Sequence, residues 1–102
     1  LLQGVNDSPK VMQSLLNGLQ KRSVRPYYLF HCEPARGCNH FRTDARKGLN
    51  LMEKLHRSCS GLALPQYVAD LSGREGKVPL WPLSRPIQNA LRKHQDFFDN
   101  FE

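Results

Sequence analysis

Three side chains in this sequence occupy positions where chemistry is commonly found: Glu33, Asp70 and Lys77. Glu33 directly follows an apolar, aromatic run from Pro26 to Cys32, and Asp70 lies at the end of a second run, Leu62 to Leu71. If both runs are strands of a parallel sheet, their carboxyl ends gather the functional groups, and the two acids project into one cleft. A loop carboxylate or a helix cap is the plainer reading of each. Lys77 follows Gly73 and Gly76, so its backbone is free to bend and approach a ligand. A lysine held that way can form a Schiff base with a carbonyl compound such as pyridoxal phosphate. The bland counterpart is a solvated loop lysine. A phosphate-cradling P-loop is a lesser reading still, because Val78 follows where Ser or Thr is required and the glycine spacing differs.

Other chemistry-bearing residues lead less far. His31, Cys32, Cys38 and His40 invite a metal, but adjacent strand residues point to opposite faces and no C-x-x-C pair occurs, so no metal site is expected. Cys59, without a local histidine, reads as a small buried residue. Arg36, Arg42, Arg46 and Lys47, with Arg22 and Arg25 upstream, form a basic middle. Residues 20–57 hold nine Lys/Arg against three Asp/Glu, while the rest of the chain holds six of each. That excess accounts for the net charge of +6. It supports an alternative of a different class, a non-catalytic basic α/β module binding nucleic acid or another phosphate-rich partner. Tyr27 and Tyr28, which would have to stack on bases, fall instead in an expected core strand, so nucleic acid is the lesser reading.

The elements that must position these residues follow from periodicity. Ser8-Pro9 reads as a helix start, and Val11, Met12, Leu15, Leu16 and Leu19 continue it to about residue 21. Pro26–Cys32 reads as a strand buried on both faces, and Thr43 as the cap of a second helix carrying Leu49, Met52, Leu55 and His56 on one side. Leu62–Leu71 and Val78–Pro82 read as further strands, Leu1–Val5 as the end of an earlier one, and Pro86 to Phe101 as a terminal helix. Strands alternating with helices predict an α/β fold with parallel strands and crossover helices. Three odd cysteines suit reduced thiols rather than a disulfide framework, and no apolar run is long enough to span a bilayer, so a cytoplasmic protein without a membrane partner is expected. A first residue other than Met, and too few strands to close a barrel, suggest a fragment of a longer enzyme.

Five separated blocks resemble the C-terminal part of the lysine 2,3-aminomutase family. They are Leu1-Leu2-Gln3-Gly4-Val5-Asn6-Asp7; Val24-Arg25-Pro26-Tyr27-Tyr28-Leu29; His40-Phe41-Arg42-Thr43 with Lys47-Gly48; Ser60-Gly61-Leu62 with Pro65; and Gly76-Lys77-Val78-Pro79-Leu80. The resemblance covers residues 1–82 and leaves 83–102 as an unmatched helical tail. It implies the C-terminal portion of a partial (β/α) barrel of the radical S-adenosylmethionine type, homo-oligomeric as the full-length protein. The implied activity is an isomerase that moves an amino group from the α to the β carbon of L-lysine or a related amino acid through a pyridoxal phosphate aldimine. A 4Fe-4S cluster and S-adenosylmethionine would be bound mainly upstream, since C-x-x-x-C-x-x-C is absent here. By resemblance Lys77 is the catalytic, cofactor-binding lysine, and Asp70 and Glu33 pair with the distal ammonium of the substrate. Glu33 is one methylene longer than the usual Asp, and Ser8 stands where zinc-binding members carry Cys, so no structural zinc is expected. Alone, the fragment is expected to be inactive. A role in modifying a lysine for transfer onto a translation factor is a third reading.

Overall fold

The structure, a computed structural model, describes residues 1–33, 37, 39–71, 76–82 and 84–94. Helix α1 (Pro9–Lys21) starts where the sequence places it: Ser8 Oγ accepts from the Val11 amide at 3.2 Å, and Pro9, lacking an N–H, takes a first-turn position. Its end is made by Ser23, which sits at φ 57°, so that the Val24 amide can reach back to the Leu19 carbonyl at 2.9 Å. Helix α2 (Ala45–Ser58) is capped by Asp44, whose carboxylate accepts from the Arg46 amide, and not by Thr43, which is buried one residue earlier. The buried face of α2 carries Ala45, Gly48, Leu51, Met52 and Leu55, a three- and four-residue repeat. His56 falls off that face and packs on Trp81, ring centroids 5.0 Å apart. The two helices are tied at one end by Lys47 Nζ donating to Asp7 at 2.6 Å.

Strands β1 (Tyr28–Phe30), β2 (Gln66–Leu71) and β3 (Gly76–Pro79) form one sheet in the order β1-β2-β3. The first pair is parallel, with α2 as the crossover, as expected. The second is antiparallel, which corrects the all-parallel expectation. The reason is arithmetic: only residues 72–75 separate β2 from β3, and a parallel return needs about a dozen residues or more.

One sheet face carries Leu29, Tyr67, Ala69, Leu71 and Val78 and packs on Met12, Leu16, Leu51, Met52 and Leu55. Leu80, just beyond β3, and Leu91 of helix α3 (Arg85–Lys93) join this core, while Phe98 and Phe101 lie outside the described residues. The other face holds Tyr28 and Phe30, 47% and 41% exposed, so β1 is covered on one side only. Leu1–Val5 is no strand either: the Val5 and Asn6 amides both turn back on the Leu2 carbonyl.

Candidate functional site

Parallel pairing of β1 with β2 brings their carboxyl ends together, and the hairpin brings the start of β3 to the same end. Glu33 leaves just beyond β1, Asp70 occupies the penultimate position of β2, and Lys77 is its partner in register across the β2–β3 ladder. All three residues singled out in the sequence therefore meet at one edge of the sheet.

Glu33 and Asp70 line one pocket of about 300 Å³, together with Leu1, Phe30, His31 and Cys32. Its walls are apolar on the side of Leu1 and Phe30 and acidic on the side of the two carboxyl groups. An acidic end of this kind suits a cationic group that can donate charge-assisted hydrogen bonds to both. Lys77 does not line the pocket. Strand alternation puts it on the uncovered face beside Asp70, and its Nζ lies 5.1 Å from the centroid of the Tyr28 ring. Gly76, immediately before it, sits at φ 72°, a backbone state that suits glycine and turns the chain into β3. Gly73, the other glycine of that loop, lies outside the described residues.

His31 is the residue whose role the sequence hid. It lines the pocket yet is only 2% exposed, and its Nδ1 shares a 2.9 Å hydrogen bond with the hydroxyl of Tyr67. Burial, and after it the Asp44 carboxylate, pushes the Tyr67 phenol above its ordinary range, which keeps the hydroxyl protonated. Two signals pointed this way: His31 is two residues beyond the core-facing Leu29, hence on the same face, and two residues before Glu33.

Cys38 and Arg36 lie outside the described residues. Cys32 is partly exposed with its Sγ toward the Glu33 carbonyl at 3.8 Å, and Cys59 packs on the core. Among the described residues no three His, Cys, Asp or Glu side chains are grouped as metal ligands. Tyr27 and Tyr28, expected in the core, are exposed; Arg25 lies over Tyr27 at 5.9 Å. Several basic side chains are spent internally: Lys47 on Asp7, Arg57 on Glu53, Arg22 on the Gly18 carbonyl, and Arg42 on the Cys32 carbonyl. A primary amine at Lys77, exposed beside an aromatic ring, fits the carbonyl of pyridoxal phosphate. A 4Fe-4S cluster finds no fit, since Cys32, Cys38 and Cys59 have neither the number in one stretch nor the spacing to hold it. No helix among the described residues is long and apolar enough to cross a membrane.

No family model and no solved structure matches the chain. Curated relatives do. An L-lysine 2,3-aminomutase of Methanococcus maripaludis is 48% identical over 82 residues, covering 80% of this chain and 19% of the relative. One from Fusobacterium nucleatum is 44% identical over 102 residues, the whole chain and 23% of the relative. That alignment runs through residues 83–102, so the tail expected to be unmatched has a counterpart. A glutamate 2,3-aminomutase of Clostridioides difficile is 40% identical over 82 residues, again 80% of this chain and 19% of the relative. The chain thus spans about a fifth of the length of the curated relatives it matches. Over four fifths or more of its residues the chain is thus a homologue of proteins named L-lysine 2,3-aminomutase, at 44–48% identity.

Proposed function

We propose that this chain supplies the substrate pocket and the reactive lysine of an amino-acid 2,3-aminomutase, an isomerase that shifts an amino group from the α to the β carbon of L-lysine or a close analogue. The supporting observation is the register that sets Lys77 opposite Asp70 while Asp70 shares a pocket with Glu33. Asp70 and Glu33 hold the distal ammonium of the substrate, and their two negative groups favour a cationic side chain over the carboxylate of glutamate. Lys77 presents its amine on the uncovered face, where Tyr28 bears on it and no core residue blocks approach.

Pyridoxal phosphate, when bound there, supplies a conjugated system through which nitrogen can migrate. The 4Fe-4S cluster and S-adenosylmethionine of a radical mechanism belong, on this proposal, to parts of the full-length protein outside these residues. Residues 1–82 are the closing part of its barrel, followed by a tail of which helix α3 is the described part, in a cytoplasmic homo-oligomer.

The test is made on the full-length protein loaded with pyridoxal phosphate. Borohydride treatment followed by peptide mapping should place the cofactor on Lys77, and Lys77→Ala should abolish the adduct. An adduct on another residue, or one that survives the substitution, overturns the assignment. Asp70→Asn should weaken L-lysine binding by about tenfold or more, since one of two acids facing the ammonium is neutralised.

A further inference from the structure

Among the described residues, His31 links the pocket lining to the layer of helices through the hydroxyl of Tyr67. β1 pairs with β2 as far as Phe30 and Val68, and one further bond, from the His31 amide to the Val68 carbonyl at 2.8 Å, extends the ladder. Cys32 and Glu33 then leave it. His31 is therefore the last residue before Glu33 that β2 grips, and it is gripped twice: by backbone at Val68 and by side chain at the Tyr67 hydroxyl. Asp70 rides on that same strand.

Tyr67 is itself immobilised. It is fully buried, and its ring lies over Gly48 of α2 so closely that any side-chain carbon there would overlap the phenol. On the other side, Arg42 Nε donates to the Cys32 carbonyl at 3.3 Å, holding the peptide that precedes Glu33.

We propose that His31, clamped by the Tyr67 hydroxyl, is a positioning residue that sets Glu33 against Asp70 so that both carboxyl groups reach one terminal ammonium. This rests on the reading of Glu33 and Asp70 as the substrate acids. Glu33 is exposed and has one more rotatable bond than an aspartate, so an unanchored backbone would spread its carboxylate over many positions, and ordering it would oppose binding. The clamp removes that cost in advance. It should act on substrate affinity and leave the chemical step alone.

The experiment uses the full-length protein loaded with pyridoxal phosphate, with L-lysine as the probe, measuring Kd by equilibrium dialysis and KM and kcat by turnover. Tyr67→Phe keeps the ring over Gly48 and deletes only the hydroxyl. Together with His31→Leu, it should raise Kd and KM about fivefold, the equilibrium worth of one hydrogen bond, with kcat within about twofold. His31→Asn, whose amide can take the place of Nδ1 toward the hydroxyl, should restore affinity relative to His31→Leu. Wild-type Kd and KM in Tyr67→Phe, a loss confined to kcat, or an Asn variant as weak as the Leu variant each overturn the proposal. Asp70→Asn separates the two levels. If it weakens L-lysine and Tyr67→Phe does not, only the clamp falls; if neither does, the acid pocket falls with it.

Discussion

A glycine-to-alanine change in the middle of a helix usually stabilises a protein by about 1 kcal/mol, because glycine loses more backbone freedom on folding. The two helical glycines among the described residues should respond with opposite signs. At Gly18 of α1 a new Cβ would meet only the far end of Arg22 at 3.6 Å, an ordinary contact, so Gly18→Ala should gain about 0.5–1 kcal/mol. At Gly48 of α2 the Cβ would overlap three atoms of the Tyr67 ring, Oη, Cζ and Cε2. The ring must move, or helix and sheet must part. Overpacking of a filled core costs about 1–3 kcal/mol, and losing the hydrogen bond to His31 about 1 more, against about 1 recovered from helix propensity. Gly48→Ala is therefore expected to lose about 1–3 kcal/mol net. Urea denaturation followed by far-UV circular dichroism measures both variants. Replacing Tyr67 by Leu should remove the obstacle, so that Gly48→Ala costs less in that background than in the wild type, a non-additivity of about 1 kcal/mol or more. A Gly48→Ala protein as stable as the wild type, or strictly additive behaviour with Tyr67→Leu, would refute the close approach and with it the rigidity assigned to His31.

Two further outcomes are expected. Ser23 closes α1 in the left-handed region at φ 57°, so Ser23→Gly should raise stability by about 1 kcal/mol in the same assay; a loss would show that its side chain matters more than its backbone. The hydrogen bond from Lys47 holds the Asp7 carboxyl below the ordinary aspartate value. The unfolded chain then takes up the proton first, so this stabilisation is full above the ordinary value, declines as pH falls below it, and is gone once pH passes the folded value. Asp7→Asn should accordingly lose less stability than the wild type between about pH 6 and about pH 3, and equal losses would leave the pair without a role in acid stability.

The helices were legible because their signals are local. Ser8-Pro9 and the spacing of Met12 and Leu16 determine α1 within two turns, and the core face of α2 differs from the reading only in being centred on Gly48, Leu51, Met52 and Leu55. Thr43 and Asp44 are both competent caps; the choice fell to Asp44 because Thr43 is drawn into the buried layer. Strand β1 differs from its two-faced expectation for another reason. In Tyr28-Leu29-Phe30 every side chain is apolar or aromatic, so no alternation reveals which face is covered; only the placement of α1 and α2 on the Leu29 side decides it.

The hairpin shows most plainly how the site depends on a feature that element order misstates. Lys77 sits at the start of its strand, and Asp70 near the end of its own. In a parallel continuation the start of β3 would lie at the amino ends of β1 and β2, a strand's length from the pocket. With only residues 72–75 to turn in, the chain must fold back, and the fold-back converts a separation of seven residues along the sequence into a register pair. The two acids are joined by the opposite device, a long parallel crossover through α2 that aligns the ends of β1 and β2. Glu33 is thus referred to Asp70 through distant packing, by way of Gly48, Tyr67 and His31, whereas Lys77 is referred to it by the ladder alone. Substitutions in α2 should therefore disturb the placing of Glu33 against Asp70 before they disturb that of Lys77.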